Sequence, residues 1–315
     1  MDIVVLLPGQ GSQRVGMGKD LYAAHAVARD TFRAVDDAIG MSLSTLAFDG
    51  PADELTKTHH AQPALLAHSA AVWAIVRDAI APSVRAAAGH SLGEFSAYHI
   101  AGMFDLPDVA RVVRQRGLLM YEQGVARPGA MAAILGVLSE SIGAICETAS
   151  ATHGLVVPAN YNSPEQVVIS GEVAGVEQAM ALCKAAGAKR CLPLPVSGAF
   201  HSPLMAPAVL GLEQALSAAT RHVPRVPVAA NVTGELVTDR DRAQALLLQQ
   251  LTAPVRWTTV IEELARQYPD ALYVEMGTGS VLSGLVRRIA PQLKTMSCGT
   301  TTEVDHLLSL AGAHV

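Results

Sequence analysis

The pentapeptide Gly89-His90-Ser91-Leu92-Gly93 has the G-x-S-x-G form that presents a serine hydroxyl as a nucleophile. A serine is a poor nucleophile unless it is exposed, held and relieved of its proton. Glycines two residues to either side permit a tight strand-to-helix turn in which larger side chains would collide. The flanks suit that turn. Val84-Arg85-Ala86-Ala87-Ala88 is a mostly small, apolar strand, and Leu92 to Ala101 continues as a helix. The helix N-terminus aims N–H groups and partial positive charge at an oxyanion forming beside Ser91. The bland alternative for Ser91 is a simple helix N-cap.

A second glycine-rich element, Pro8-Gly9-Gln10-Gly11-Ser12-Gln13, follows the apolar run Ile3–Leu7 directly. It suits a loop that lends an oxyanion N–H to Ser91. A phosphate-cradling loop is its rival, but the third glycine and the P-loop lysine are missing. Of eleven histidines, His201 lies in the irregular segment Pro195 to Pro203 between two patterned regions, where a loop histidine is well placed to face a cleft. Composition alone does not choose it as the base. His90 adjoins the serine but is expected to point away from it. Arg116, beside Arg111 and Arg114, reads on its own as a solvated helix charge.

Strands and helices alternate around these residues. Ile3–Leu7 and Val84–Ala88 are short runs suited to strands buried on both faces. Helices are expected over Asp20–Ala38, Pro63–Ile80, from the serine to Ala101, and from Asp105, with Pro107 tolerated in the first turn. The middle of the chain changes rhythm. Strands at Ala130–Val137, Leu155–Tyr161, Gln166–Ser170 and Cys191–Val196 alternate with helices at Ser139–Ala151 and Val173–Ala186. Val173, Val176, Met180 and Cys183 form an apolar stripe on the second of these helices. The order βαββαβ is that of a ferredoxin-like unit. Further on, helices are expected at Pro203–Thr220, Asp241–Leu251, Thr258–Gln267 and Gly279–Ile289, with a strand at Leu272–Glu275. The fold class expected is α/β: an α/β-hydrolase-like parallel-sheet core over residues 1–126 and 199–315, with an inserted ferredoxin-like small subdomain over 127–198.

Bulk composition bounds the function. With 315 residues, half of them apolar, the chain can bury a sizeable core. A net charge of −5 with mixed signs leaves no basic face for nucleic acid. The apolar N-terminal run stops at Pro8-Gly9, too short for a signal peptide, and the stretch Ala61–Val76 is broken by Gln62, His68 and Ser69. No membrane association and a cytoplasmic location are expected. Cys146, Cys183, Cys191 and Cys298 show no C-x-x-C pairing or metal spacing and read as reduced, mostly buried thiols.

Taken together, the motifs resemble those of malonyl-CoA:acyl carrier protein transacylases. The matching segments are PGQGSQ at 8–13, HAQPA at 60–64, GHSLGEFSA at 89–97, QRG at 115–117 and ANYNSPEQVVISG at 159–171. They continue with PVSGAFHSPLM at 195–205, QLTAPVRW at 250–257 and EMGTGSVLSGL at 275–285, in the family's order over almost the whole chain.

The resemblance implies that Ser91 attacks the thioester and carries the acyl group while His201 takes and returns the proton. Backbone N–H groups of Gln10 and Leu92 would form the oxyanion hole. The main-chain carbonyl of Gln250 would orient His201, in place of a triad acid. Arg116 would hold the malonyl carboxylate, through a guanidinium fork that a lysine lacks. Gln62, Asn160 and Asn162 match positions near the acyl site, and Phe200 matches malonyl-using members. Ala199 and Ala253 depart from the proline and asparagine of many bacterial housekeeping members. They leave open whether fatty acid or polyketide synthesis is served. The implied partners are malonyl-CoA and an acyl carrier protein or carrier domain, with no metal or other cofactor. Because carrier proteins are acidic, Lys184, Lys189, Arg190, Arg287 and Arg288 are candidates for docking them. A serine thioesterase or esterase of related fold is the first rival reading, and a non-catalytic carrier-binding module the second.

Overall fold

A computed structural model describes residues 1–196 and 198–312. Ser197 of the PVSGAFHSPLM segment and residues 313–315 of the expected large domain therefore lie outside the described residues.

The chain opens with β1 (Ile3–Leu7), whose five residues are all buried. Val5 and Leu7 join the core on one face of the sheet, and Val4 and Leu6 join the core on the other. Two helices follow, α1 (Lys19–Ala24) and α2 (Ala26–Ile39), where the sequence pattern suggests one. The chain breaks at His25, whose backbone is extended, and the Arg29 guanidinium donates to the carbonyls of Tyr22 and Ala23 at 3.1 Å each. Those contacts satisfy carbonyls that the broken helix leaves open.

Short helices α3 (Leu43–Asp49) and α4 (Ala52–Thr56) lead into α5 (Thr58–Ile80). This helix begins five residues before the expected start, with Pro63 inside it. Proline removes the hydrogen bond to the carbonyl four residues back. That carbonyl, of His59, accepts instead from the Arg114 guanidinium. With this extension the helical segment Thr58–Ser83 is long and apolar enough to cross a membrane by length and composition, but 61% of its most apolar window is buried inside the protein.

Strand β2 (Val84–Gly89) then runs parallel to β1, and α6 (Leu92–Ile100) leaves it at the serine turn. Helix α7 (Leu106–Ala126) packs on α5.

The middle of the chain folds as β3 (Ala130–Leu135), α8 (Ile142–His153), β4 (Val156–Ser163), β5 (Gln166–Gly171), α9 (Val173–Ala185) and β6 (Arg190–Pro193). These strands form an antiparallel sheet in the order β4-β5-β3-β6. Along α9, Val176 and Cys183 are buried, but Val173 at the head of the expected stripe is exposed because the core ends there. The small sheet is tied to the rest of the chain at Val255, which exchanges backbone hydrogen bonds of 2.8 Å with Ala159 and Tyr161.

Beyond it, the expected helix Pro203–Thr220 becomes a 3-10 turn at Pro203–Ala208, which holds Pro207, followed by α10 (Val209–Ala218). Two-residue strands β7 (Val228–Ala229) and β8 (Leu236–Val237) precede α11 (Arg240–Gln249), α12 (Trp257–Gln267), β9 (Leu272–Met276) and α13 (Val281–Ile289). The chain closes with β10 (Lys294–Cys298) and α14 (Thr301–Leu310), two elements beyond those expected. The edge strand β10 is too polar to stand out as an apolar run, whereas α14 carries a readable signal. Thr300 and Glu303 form a reciprocal capping box at its start.

The large sheet has the order β10-β9-β1-β2-β7-β8, parallel except for the last pair. Helices cover both of its faces, so the architecture is a parallel-sheet α/β core with a smaller antiparallel sheet. All four cysteines are free, and Cys146, Cys183 and Cys298 are buried, which pushes each thiol up to about 12.

Candidate active site

The serine turn ends β2, a central strand of the large sheet. Ser91 adopts φ 51° and ψ −106°, a conformation that non-glycine residues rarely take. Close approach of backbones surrounds it. A Cβ placed on Gly89 would lie 1.9 Å from the carbonyl carbon and oxygen of Gly93, and one on Gly93 would lie 2.1 Å from the Leu7 oxygen. The two glycines are thus required by packing, and they bring the Pro8–Gln13 loop against the turn.

His201 also has positive φ, 55°, and is 4% exposed. Its Nε2 lies 2.7 Å from Ser91 Oγ, and its Nδ1 lies 2.8 Å from the Gln250 carbonyl oxygen. A carbonyl only accepts, so Nδ1 carries the hydrogen and Nε2 presents its lone pair to the serine hydroxyl. Burial, and then the Arg116 charge, depress the imidazole pKa to about 3. The imidazole is therefore neutral at neutral pH.

Arg116 projects from the middle of α7 and is 1% exposed, whereas its neighbour Arg111 is solvated and pairs with Asp108. One guanidinium nitrogen donates to Gln62 Oε1 at 2.6 Å. The other terminal nitrogen donates to Ser91 Oγ at 3.1 Å and to Gln250 Oε1 at 2.9 Å. All three acceptors are neutral, and Nε has no partner among the described residues. Burial lowers this arginine to about 10, so it stays charged at neutral pH. Gln62 continues the chain of contacts, donating to Thr58 Oγ1 at 3.1 Å, and Thr58 in turn donates to the Gln10 side chain.

A cavity of about 220 Å³ opens over these groups, lined among others by Gln10, Gln62, Ser91, Leu92, Arg116, Asn160, Phe200 and His201. The Gln10 and Leu92 amides find no acceptor among the described residues. Such a site can activate a hydroxyl, receive an oxyanion and bind a carboxylate beside the nucleophile.

A family profile described as acyl transferase domain matches residues 4–299. A malonyl CoA-acyl carrier protein transacylase of Escherichia coli O157:H7 is 46% identical over 97% of this chain and 98% of its own. Its Bacillus subtilis counterpart is 43% identical over 96% and 95%. The chain belongs to the malonyl-CoA:acyl carrier protein transacylase family.

Solved structures of the family superpose closely. An acyl-carrier-protein-S-malonyltransferase from Bartonella henselae matches with a TM-score of 0.94 at 42% identity, covering 99% of this chain and 100% of that one. A malonyl-transacylase in complex with its type II PKS acyl-carrier protein matches with a TM-score of 0.93 at 40% identity, covering 98% and 100%. The present chain is accordingly an acyltransferase.

Other residues singled out from the transacylase motifs fall at varied distances from the chemistry. Asn162 stands one layer back, where its Oδ1 accepts from His90 Nε2 at 2.8 Å. His90 itself packs its ring on Trp257 and lines the same cavity as Ser91. Lys184, Lys189, Arg190, Arg287 and Arg288 are all exposed. Lys189 pairs with Glu165, and Arg288 donates to Gln166 beside a second cavity that reaches Gln10 and His90.

Two residues of the site have no part in the sequence reading. Asn231, after β7, accepts the Ser91 N–H at 2.7 Å and donates to the Gly89 carbonyl at 2.7 Å. Glu94, in the first turn of α6, is fully buried and accepts from Gln250 Nε2 at 2.6 Å and from the Asn231 N–H at 3.2 Å. Burial pushes its carboxyl up to about 7. The only available signal for Glu94 is its place within the GHSLGE run, three residues past the serine.

Proposed function

We propose that Ser91 is the temporary carrier in transfer of a malonyl group from malonyl-CoA to the phosphopantetheine thiol of acyl carrier protein, for fatty acid or polyketide synthesis. In the first half-reaction Ser91 Oγ attacks the thioester carbon as His201 Nε2 takes its proton. The Gln10 and Leu92 amides hold the resulting oxyanion. The intermediate collapses to the acyl-serine, and the CoA sulfur leaves with the proton from His201. The carrier-protein thiol then attacks the acyl-serine by the reverse sequence, returning the hydrogen to Ser91. Thioester and oxygen ester are close in energy, so transfer is reversible and calls for no metal or redox cofactor. Gln250 holds His201 in one tautomer through its carbonyl, the task an aspartate performs in a triad.

The observation that carries this reading is the buried Arg116. A guanidinium hydrogen-bonded only to neutral groups, 3.1 Å from the nucleophile, is a site for an acyl group ending in a carboxylate. In malonyl that carboxylate stands one methylene from the reacting carbonyl. Gln62 holds the guanidinium, Asn160 and Phe200 line the acyl space, and Asn162 acts through His90.

The finer architecture goes with the same proposal: a hydrolase-like core over 1–126 and 199–315 and a ferredoxin-like insert over 127–198. The strand order β4-β5-β3-β6 with helices in both crossovers supports the second description. The proposed compartment is the cytoplasm.

Intact-mass spectrometry after malonyl-CoA, with and without acyl carrier protein, tests the reading. A stable adduct that the carrier protein discharges is expected, and Ser91→Ala should form none. Rapid discharge to water would instead mark a hydrolase, and an adduct on Ser91→Ala would refute the nucleophile.

A further inference from the structure

The buried carboxylate beneath the serine turn has no part in the mechanism above, yet it touches the residues that hold Ser91, His201 and Arg116. We propose that Glu94 is a positioning residue, whose carboxylate orients Gln250 and Asn231 and through them aligns His201, Arg116 and Ser91. The inference rests on the assignment of those three residues above.

Gln250 is the joint of the site. Its main-chain oxygen accepts from His201, and its side-chain Oε1 accepts from Arg116 at 2.9 Å. Its Nε2 spends its hydrogens on the Ser91 carbonyl at 2.9 Å and on Glu94 Oε2 at 2.6 Å. A primary amide can be turned over at little cost in shape, which would present N–H groups to the guanidinium and expel it. Acceptors at Glu94 Oε2 and at the Ser91 carbonyl oppose that orientation. Glu94 supplies the shorter of the two contacts and thereby helps set which end of the amide meets Arg116. The same Oε2 accepts the Asn231 N–H at 3.2 Å, and Asn231 brackets the serine turn from Gly89 to Ser91. From Arg116 the contacts run on through Gln62 and Thr58 to Gln10, so a single polar chain joins Glu94 to the loop that receives the oxyanion.

The hydrogen-bonding role does not require charge. With its carboxyl raised to about 7, Glu94 is present in both forms near neutrality, and Oε2 accepts in either. Oε1 has no partner among the described residues. A glutamine at this position keeps one acceptor where Oε2 stands and puts its amide nitrogen where Oε1 makes no hydrogen bond among the described residues.

The test compares Glu94→Gln with Glu94→Leu in malonyl and acetyl transfer, with rates expressed per folded enzyme. Glu94→Gln should keep kcat and the malonyl-to-acetyl ratio of kcat/KM within about three-fold of the parent. Glu94→Leu should lower kcat by about ten- to a hundred-fold, the cost of a misplaced reacting group, and should lower the ratio by about ten-fold as Arg116 loses its anchor. A merely structural role would lower the melting temperature and leave the ratio alone. An unchanged ratio in Glu94→Leu, or a Glu94→Gln variant as impaired as Glu94→Leu, overturns the inference. Should Glu94→Leu fail to fold, Glu94→Ser reads the same ratio. Acylation of the parent at Ser91 is measured alongside. Its absence would sink the transfer mechanism itself, whereas parental acylation with an unchanged variant ratio sinks only the role of Glu94.

Discussion

Replacing Arg116 by alanine probes acyl-group choice most directly. On the proposed reading a malonyl carboxylate would meet a buried guanidinium whose Nε has no partner among the described residues and whose hydrogen-bonded neighbours are neutral. In Arg116→Ala the same carboxylate enters a site with no countercharge. Truncating one partner of a buried, hydrogen-bonded charge pair costs about 2–5 kcal/mol. At 1.36 kcal/mol per decade, kcat/KM for malonyl-CoA should fall by about 30- to 5000-fold from this effect. The acceptors on Gln62 and Gln250 are orphaned as well, but that loss falls on malonyl and acetyl groups alike.

The ratio of kcat/KM for malonyl-CoA over acetyl-CoA is therefore the quantity to measure, by discharge to acyl carrier protein. It should drop by the full 30-fold or more. Partial unfolding of the variant would scale both substrates equally and leave the ratio untouched. Arg116→Lys should give an intermediate ratio, since an ammonium supplies charge without the planar fork. An Arg116→Ala ratio within about three-fold of the parent would refute the carboxylate clamp, because a loss of about 0.6 kcal/mol is no more than an exposed ion pair contributes and far below the cost of breaking a buried one.

Three other outcomes follow from the geometry. Reaction of Ser91 with a neutral reagent such as phenylmethylsulfonyl fluoride should stay fast well below pH 6, because the His201 base, depressed to about 3, is protonated only in stronger acid. An acid limb near the ordinary histidine value of 6.5, measured while circular dichroism shows the enzyme folded, would contradict a buried neutral imidazole. Gly89→Ala should cost roughly 3 kcal/mol, as overpacking of a closed backbone contact does, and lower the thermal midpoint by several degrees. A midpoint equal to the parent's would mean that the contact of 1.9 Å relaxes freely. Phe200, lining the acyl cavity, should exclude a branched acyl chain, so malonyl-CoA should win a competition with methylmalonyl-CoA. Equal use of the two would remove Phe200 from the selectivity argument.

The serine turn was legible because sterics leave few residue types that fit it: Gly89 and Gly93 are read in the sequence for the same reason that a Cβ collides there in the fold. The βαββαβ rhythm was legible because each element repeats its own hydrophobic period. Partnership across the chain was not. Ser91 and His201 meet over 110 residues of sequence separation, and no local pattern encodes that distance. The carbonyl that orients His201 is a main-chain group, which any residue type at position 250 would supply. Only the resemblance pointed to it, along with Arg116, whose neighbour Arg111 is the solvated charge that both would be taken for by composition. Asn231 and Glu94 escaped because their work is hydrogen bonding to backbone and amide groups, which leaves no periodicity or paired motif. The half-exposed β10 escaped because a polar edge strand lacks the apolar run by which strands are found.

The position of Arg116 also bears on where in the reaction its selectivity is expressed. Its charge is the second cause, after burial, of the depressed His201 pKa. On the proposed mechanism His201 must hold a proton transiently, so a guanidinium only partly offset by the Glu94 carboxyl opposes the step it is meant to serve. A malonyl carboxylate cancels that charge on binding, and an acetyl group does not. The clamp should therefore act in the transition state as well as in binding, which places part of the discrimination in kcat. In the parent enzyme acetyl transfer would be slow even at saturating acetyl-CoA. Removing Arg116 would lift that electrostatic penalty from acetyl transfer while stripping malonyl transfer of its anchor. On this argument the acyl group that fits the site is also the one that restores the basicity of the histidine that will activate Ser91.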